Sequence, residues 1–251
     1  MVSVGNYLYG FTDSRFIPDA SLRGLADAPV RVVGFRDVGA IVSNHPVQRL
    51  IPRRANLEPH HRILRHMSTR APLVPAAFGH ISESEQDIVD VLKENYEEIR
   101  EEINRLAEKA EIGLKLCWAV DNIFEYFVRT HSDLRILRDR VFSSSDPSFD
   151  DKLKVGSLFE ACRNGDRERL SSILLKNLQP VTCDYMSKPT REETTVCDYS
   201  FLIECSRANE FVVALKNTAA LFDSNFTVHS SGPWPPYSFV RLQLQTPVHL
   251  A

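Results

Sequence analysis

The spacing of apolar and polar positions changes several times along the chain, and each change predicts an element. Residues 2–11 alternate loosely and hold Tyr7, Leu8, Tyr9 and Phe11, which predicts a first strand. Residues 12–29 carry Asp13, Pro18, Asp19, Gly24 and Pro29 and read as loop with room for one helical turn. Residues 30–35 and 40–43 are apolar runs around Arg36-Asp37-Val38-Gly39, a hairpin pattern with Gly39 at the turn exit. Asn56 is expected to cap a helix running to about Arg70, with Glu58 and Pro59 in its first turn and Leu57, Leu64 and Met67 facing inward. Residues 71–79 are apolar and extended, because their prolines exclude a helix. Ser82 with Glu85, or Ser84 with Asp87, forms a capping box. It opens the clearest helix, where Ile88, Leu92, Tyr96, Ile99, Ile103 and Leu106 recur at steps of three and four. Glu101 and Arg105 stand at a favourable i,i+4 spacing on it.

From Ile112 the period becomes two, through Leu114, Leu116, Trp118 and Val120. Residues 122–142 read as helical, with a second piece starting at Ser132 or Asp133. A polar loop at 143–148 precedes a long helical stretch at 149–178, with Asn164-Gly165 as a point of interruption and Asp166 able to cap a restart. Residues 180–186 predict a strand and 187–195 a loop. Cys197, Tyr199, Phe201, Ile203 and Cys205 alternate as the apolar side of another strand. A helix marked by Ala208, Phe211, Val212, Leu215, Ala219 and Phe222 follows. Strands are expected at 226–229 and again at 239–245. From residue 112 the order is strand, helices, strand, strand, helix, strand. This is the ferredoxin-like βαββαβ order with a helical insertion. The expected fold class is α+β with two domains. Residues 1–110 form an N-terminal α+β domain, 111–232 the ferredoxin-like domain, and 233–251 a Pro-rich C-terminal segment packing back on them.

The least random run is Gly232-Pro233-Trp234-Pro235-Pro236-Tyr237-Ser238-Phe239-Val240. Its prolines restrict φ and remove backbone donors, so it is stiff and cannot lie inside a helix. Two readings remain: a corner whose Trp234 plugs the core, or a polyproline-like docking strip. Its position after the last ferredoxin-like strand favours a corner that redirects the chain. Trp234, Pro235, Pro236, Tyr237 and Phe239 are therefore candidate structural and partner-contact residues.

Composition narrows the function. In 251 residues, 43% are hydrophobic and 25% charged, enough for a core without staples. The net charge of −3 gives nucleic acid or an anionic membrane no global attraction. The 5 cysteines include no Cys-x-x-Cys pair and fit reduced thiols in a cytoplasm. The first residues carry no basic, apolar leader pattern, and no run approaches a membrane span. Phosphate-loop, dinucleotide and nucleophile-elbow motifs are absent. His60, His61 and His66 lack the four-residue step of a helical zinc pair. No catalytic, cofactor or metal residues are assigned. Arg49, Arg53, Arg54, Arg62, Arg65 and Arg70 form a basic block opposed only by Glu58, whereas 83–111 is acidic. Such blocks more often make paired or solvated faces than nucleic-acid platforms. Arg53 and Arg54 remain candidates for contact with an acidic partner.

The run Gly232-Pro233-Trp234-Pro235-Pro236-Tyr237-Ser238-Phe239 is similar to the C-terminal signature of the GvpF/GvpL family of gas vesicle proteins. Tyr7-Leu8-Tyr9-Gly10 resembles that family's opening strand. His61, Pro72, Pro75 and Phe78-Gly79 resemble a central block, and residues 111–118 resemble the strand after the long helix. Ala76-Ala77 replaces the basic residue expected before Phe-Gly, which argues against a catalytic cation there. The resemblance implies a non-enzymatic accessory or minor structural protein of gas vesicles that needs no cofactor. Its implied partners are the small hydrophobic shell protein of GvpA type and other gas vesicle accessory proteins, with no nucleic acid and no lipid membrane. It would be cytoplasmic and associated with the vesicle, the inner, gas-facing surface being one location. Contact is expected at a cleft between the domains or at a sheet edge near the C-terminal segment. The competing classes are a small-molecule-binding or enzymatic ferredoxin-like protein and an RNA-binding protein.

Overall fold

The computed structural model describes residues 3–144, 146–190 and 192–245. Val2 of the expected first strand and residues 246–251 of the expected C-terminal segment lie outside the described residues. The chain forms two units: residues up to Glu111 with the chain from Pro233 onward, and Ile112–Gly232.

The first unit is built on an antiparallel sheet of β1 (Val4–Asp13), β2 (Val30–Phe35), β3 (Val38–Pro46), β4 (Val74–Pro75) and β5 (Ile81–Ser82), ordered β2-β3-β1-β4, with β5 also on β1. β1 and β3 are buried at almost every position, as strands covered on both faces are. Helix α1 (Arg54–Ser68) supplies Ile63, Leu64 and Met67 to a core that includes Tyr7, Tyr9, Ile41 and Leu73. Helices α2 (Glu85–Glu94) and α3 (Tyr96–Leu106) pack on the sheet through Ile88, Leu92, Ile99, Ile103 and Leu106.

Four local expectations change. The hairpin turns on Arg36-Asp37, with Arg36 at φ 52°, as a primed turn requires. Gly39 is thus not at the turn exit but in the ladder, opposite Gly34 and Thr12. Helix α1 starts at Arg54, before Asn56, whose side chain instead donates to the Ile51 carbonyl at 3.0 Å. The capping box is Ser84 with Asp87. The single long helix is two, broken at Asn95 (φ −111°, ψ 22°). Arg105 pairs with Glu102 rather than Glu101, because Glu102 shares the buried face of α3.

The register of β1 shifts between Leu8 and Gly10, leaving Tyr9 as the extra residue of a bulge. Gly10 lets β4 approach closely, since a Cβ there would lie 2.4 Å from the Val74 carbonyl oxygen. Gly10→Ala is expected to cost about 2–3 kcal/mol in urea unfolding, because backbone rather than a side-chain tip must move. An unchanged midpoint would show that β4 yields freely.

The second unit holds most of β6 (Lys109–Trp118), α4 (Ile123–Thr130), α5 (Ser132–Phe142), α6 (Phe149–Leu178), β7 (Asp184–Ser187), β8 (Thr195–Glu204), α7 (Ala208–Ala219) and most of β9 (Phe226–Trp234), residues 109–111 and 233–234 being counted with the first. Its sheet runs β7-β8-β6-β9. Helix α6 is continuous over 30 residues, without the expected break at Asn164-Gly165. Open space around Gly165 means no packing forces the chain to turn there. Phe159, Leu170, Leu174 and Leu178 of α6 are buried, and Phe159 meets Phe127 of α4 edge to face. Cys197 is buried on β8, but Cys205 is exposed in the turn after it, off the apolar side expected for it. β9 continues past His229 through Gly232 and Pro233. Residues 239–245 form no strand; a short 3-10 turn at Tyr237–Phe239 leads into chain outside both sheets.

Candidate functional site

The proline run lays the C-terminal segment on the first unit. Pro235, Pro236 and Phe239 are buried, whereas Trp234 remains 38% exposed beneath the Arg65 guanidinium, 5.7 Å from its ring. The core plug is therefore Phe239 and not Trp234. The Tyr237 hydroxyl meets His61 Nδ1 at 2.9 Å on α1, and burial raises the pKa of Tyr237.

Beneath this contact lies a closed polar cluster. The Tyr7 hydroxyl meets His60 Nδ1 at 2.8 Å and accepts from the Gly79 amide at 3.3 Å. His60 also bonds the Ala76 backbone and stacks on Tyr9. Burial, reinforced by nearby His61, lowers the His60 pKa to about 4. Tyr9 closes the cluster with Ser43 Oγ at 2.9 Å and the Leu25 amide at 2.8 Å. These bonds satisfy His60 and Tyr7 internally, so the cluster is a structural lock. The three helical histidines bond different partners: His60 meets Tyr7, His61 meets Tyr237, and His66 lies beside Arg70. Among the described residues no group of three or more His, Cys, Asp or Glu is placed to hold a metal.

Beyond Tyr237, polar side chains hold the backbone of the segment. The Glu111 carboxylate accepts from the Ser238 amide at 2.8 Å and its hydroxyl at 2.6 Å. Arg105 donates to the Phe239 carbonyl, and Glu102 accepts from the Arg241 amide at 2.7 Å. Asn95 both accepts from the Gln245 amide (2.7 Å) and donates to its carbonyl (3.2 Å). Burial opposes the Glu102 charge, yet the Arg105 and Arg241 bonds outweigh it and lower its pKa. Glu102, Glu111 and Asn95 are each buried. Sequence reasoning passed over these residues. The available signals were an acid on the apolar face of a helix, an acid inside a strand, and an asparagine interrupting a helical period.

Alongside the segment runs a groove of about 800 Å³, walled by residues 74–77 and 79–82, by Ile88 and Val91 of α2, and by Tyr237, Val240, Leu242 and Leu244. Among the described residues no Asp, Glu, Lys or Arg lines it, and His80 is on its rim of exposed residues. Ala76 and Ala77 line it where a basic residue was expected. Tyr7, His61, Phe78, Glu111 and Tyr237, from all four segments that carry the family resemblance, thus meet around one site. Arg53 and Arg54 are not brought to it. Both are exposed at the start of α1, with Arg54 4.0 Å from Glu58.

The model of the family described as gas vesicle synthesis protein GvpL/GvpF matches residues 5–241. Gas vesicle protein F of Streptomyces sp. (strain CB03234) is 27% identical over 243 residues, covering 95% of this chain and 100% of that protein. Gas vesicle protein L of Haloferax mediterranei is 24% identical over 243 residues, covering 88% of this chain and 73% of that one. The crystal structure of GvpF from Anabaena sp. PCC7120 superposes with a TM-score of 0.85 at 22% identity, over 96% of this chain and 100% of that one. GvpF from Microcystis aeruginosa superposes with a TM-score of 0.80 at 18% identity, over 95% and 99%. No helix among the described residues is long and apolar enough to cross a membrane. The chain belongs to the GvpL/GvpF family of gas vesicle synthesis proteins.

Proposed function

We propose that this protein is a non-enzymatic accessory or minor structural component required for gas vesicle assembly, and that it binds the small hydrophobic shell protein of GvpA type. The observation that carries this reading is the uncharged groove, about 800 Å³, at the place where the family-like segments converge. A shell subunit with an exposed apolar face needs cover before it is incorporated. A groove lacking charged walls suits such a face, because a buried charge there would have no partner. The completed bonding of His60 and Tyr7 favours a binding role over proton chemistry at this site. The reading places the protein in the cytoplasm at the vesicle, with other vesicle accessory proteins as further partners. It takes 1–110 and 111–232 as domains and 233–251 as a C-terminal tail packing back on them. The second sheet, ordered β7-β8-β6-β9, is read as ferredoxin-like with α4 and α5 inserted, since its strand order and helix placement suit that arrangement.

The test is co-purification from vesicle-forming cells. The tagged protein is expected to retain shell protein and no nucleic acid. Arg53→Glu with Arg54→Glu should leave retention unchanged, as both side chains lie away from the groove. Failure to retain shell protein, or retention lost only in the double arginine variant, would overturn the assignment to this groove.

A further inference from the structure

We infer that the C-terminal segment and its groove form a strand-addition site for an extended, uncharged segment of a partner protein. The inference rests on the partner-binding reading above and deepens it. Exposure alternates along the segment: Val240, Leu242 and Leu244 are half-buried, and Arg241, Gln243 and Gln245 are exposed. The half-buried side chains line the groove. In an extended chain, the N–H and C=O groups of successive residues point to opposite sides. One side is occupied, as the Phe239 carbonyl and the backbone groups of Arg241 and Gln245 meet Arg105, Glu102 and Asn95. The opposite side presents Val240, Leu242 and Leu244, whose backbones make no hydrogen bond among the described residues.

The open backbone edge of an extended segment, like that of an edge strand, is a template for another chain. Here it runs over five residues, about 16 Å at the strand rise. The walls define the occupant. Among the described residues the lining holds no Asp, Glu, Lys or Arg and a single imidazole, His80, so a charged side chain entering the groove would lose more hydration than it regains. The occupant is therefore an extended stretch of a partner protein with apolar side chains at every second position and no charge among them. Main-chain bonds to Val240, Leu242 and Leu244 set its register, and the groove takes its alternate side chains.

The probe is a fluorescent synthetic peptide with leucine and threonine at alternating positions, titrated into the full chain. A version N-methylated at alternate residues on one edge, a version methylated on the other edge, and one with glutamate replacing leucine are run beside it. The parent peptide is expected to bind saturably and to slow amide exchange at Leu242 and Leu244. Methylating the pairing edge should weaken it about tenfold or more, since each lost bond costs up to that factor; methylating the other edge should not. Ala77→Glu places a charge on an exposed part of the groove wall and should abolish binding at an unchanged melting temperature. No binding, equal binding of both methylated peptides, or unaltered exchange at Leu242 and Leu244 overturns the site. Shell-protein retention is measured in parallel. Failure of the unsubstituted chain to bind the peptide, with shell protein still retained by that chain and by Ala77→Glu, removes strand addition and leaves the partner reading standing. Peptide binding with all the expected effects but no shell retention supports the site and removes the shell protein as its occupant.

Discussion

Phe239→Ala lowers stability by about 3–4 kcal/mol, the usual cost of emptying a buried aromatic site. Phe239 is 3% exposed and sits where the segment is most tightly held, between Ser238 on Glu111 and its own carbonyl on Arg105. Losing the ring frees the segment. The buried Glu102 and Glu111 carboxylates must then exchange segment amides for water. Trp234→Ala should cost under about 1 kcal/mol, since its ring is partly solvated and an exposed cation–π contact contributes little. Urea unfolding of the two variants, with amide exchange followed at β1 and α3, separates them. Equal losses would return Trp234 to the role of plug.

Acid weakens the fold in two stages, and the first belongs to His60. In the unfolded chain its imidazole takes up a proton near pH 6.5, whereas the folded ring stays neutral to about 4. Between these values the unfolded state holds the additional proton, so stability falls as pH drops through the window, by about 2–3 kcal/mol in all. Below pH 4.5 the second stage begins. Glu102 has a lowered pKa in the fold, so its contribution is present above the unfolded carboxylate value and is lost as pH falls further. His60→Phe keeps an aromatic ring between Tyr9 and Phe78 but cannot take the proton. It should be less stable at pH 7, because the Tyr7 hydroxyl loses a partner. Its stability should then fall less steeply from pH 6.5 to 4.5, the slope that remains coming from His61 and His66, whose pKa values burial also lowers. An equal slope in the variant and the parent would assign the acid effect elsewhere.

The groove explains a feature that chemistry alone left idle. Ala76-Ala77 departs from the pattern expected before Phe-Gly, and a basic side chain there would put a charge into an otherwise uncharged wall. Two small residues keep the wall apolar, which suits a docking surface better than a reaction centre. Tyr7 and His60 beneath it hold Ala76 and Gly79 by their backbones, so the wall is braced from inside the core.

The elements themselves were legible wherever the deciding interactions are local. The Ser84–Asp87 box and the three-and-four spacing of α2 and α3 act within a few residues and appear where their patterns lie, and the alternating run of β8 forms a strand, although both of its faces are buried. The misreadings fall where a distant partner decides. The register of β3 moves Gly39 into a ladder. Asn95 ends one helix and starts another, and its side chain holds Gln245, 150 positions away. Glu111 reaches Ser238 across 127 positions, and nothing in the alternation of β6 signals that its carboxylate is buried against a backbone amide. By itself, the sequence determined an α+β chain whose C-terminal run must be stiff and non-helical, because ring closure and hydrophobic period act within the segment that carries them. The tertiary structure alone decided that Phe239, not Trp234, is buried and that one backbone edge of the segment is clamped while the other stays open. Those outcomes depend on which long-range side chains reach the segment, and such bonds leave no periodic trace.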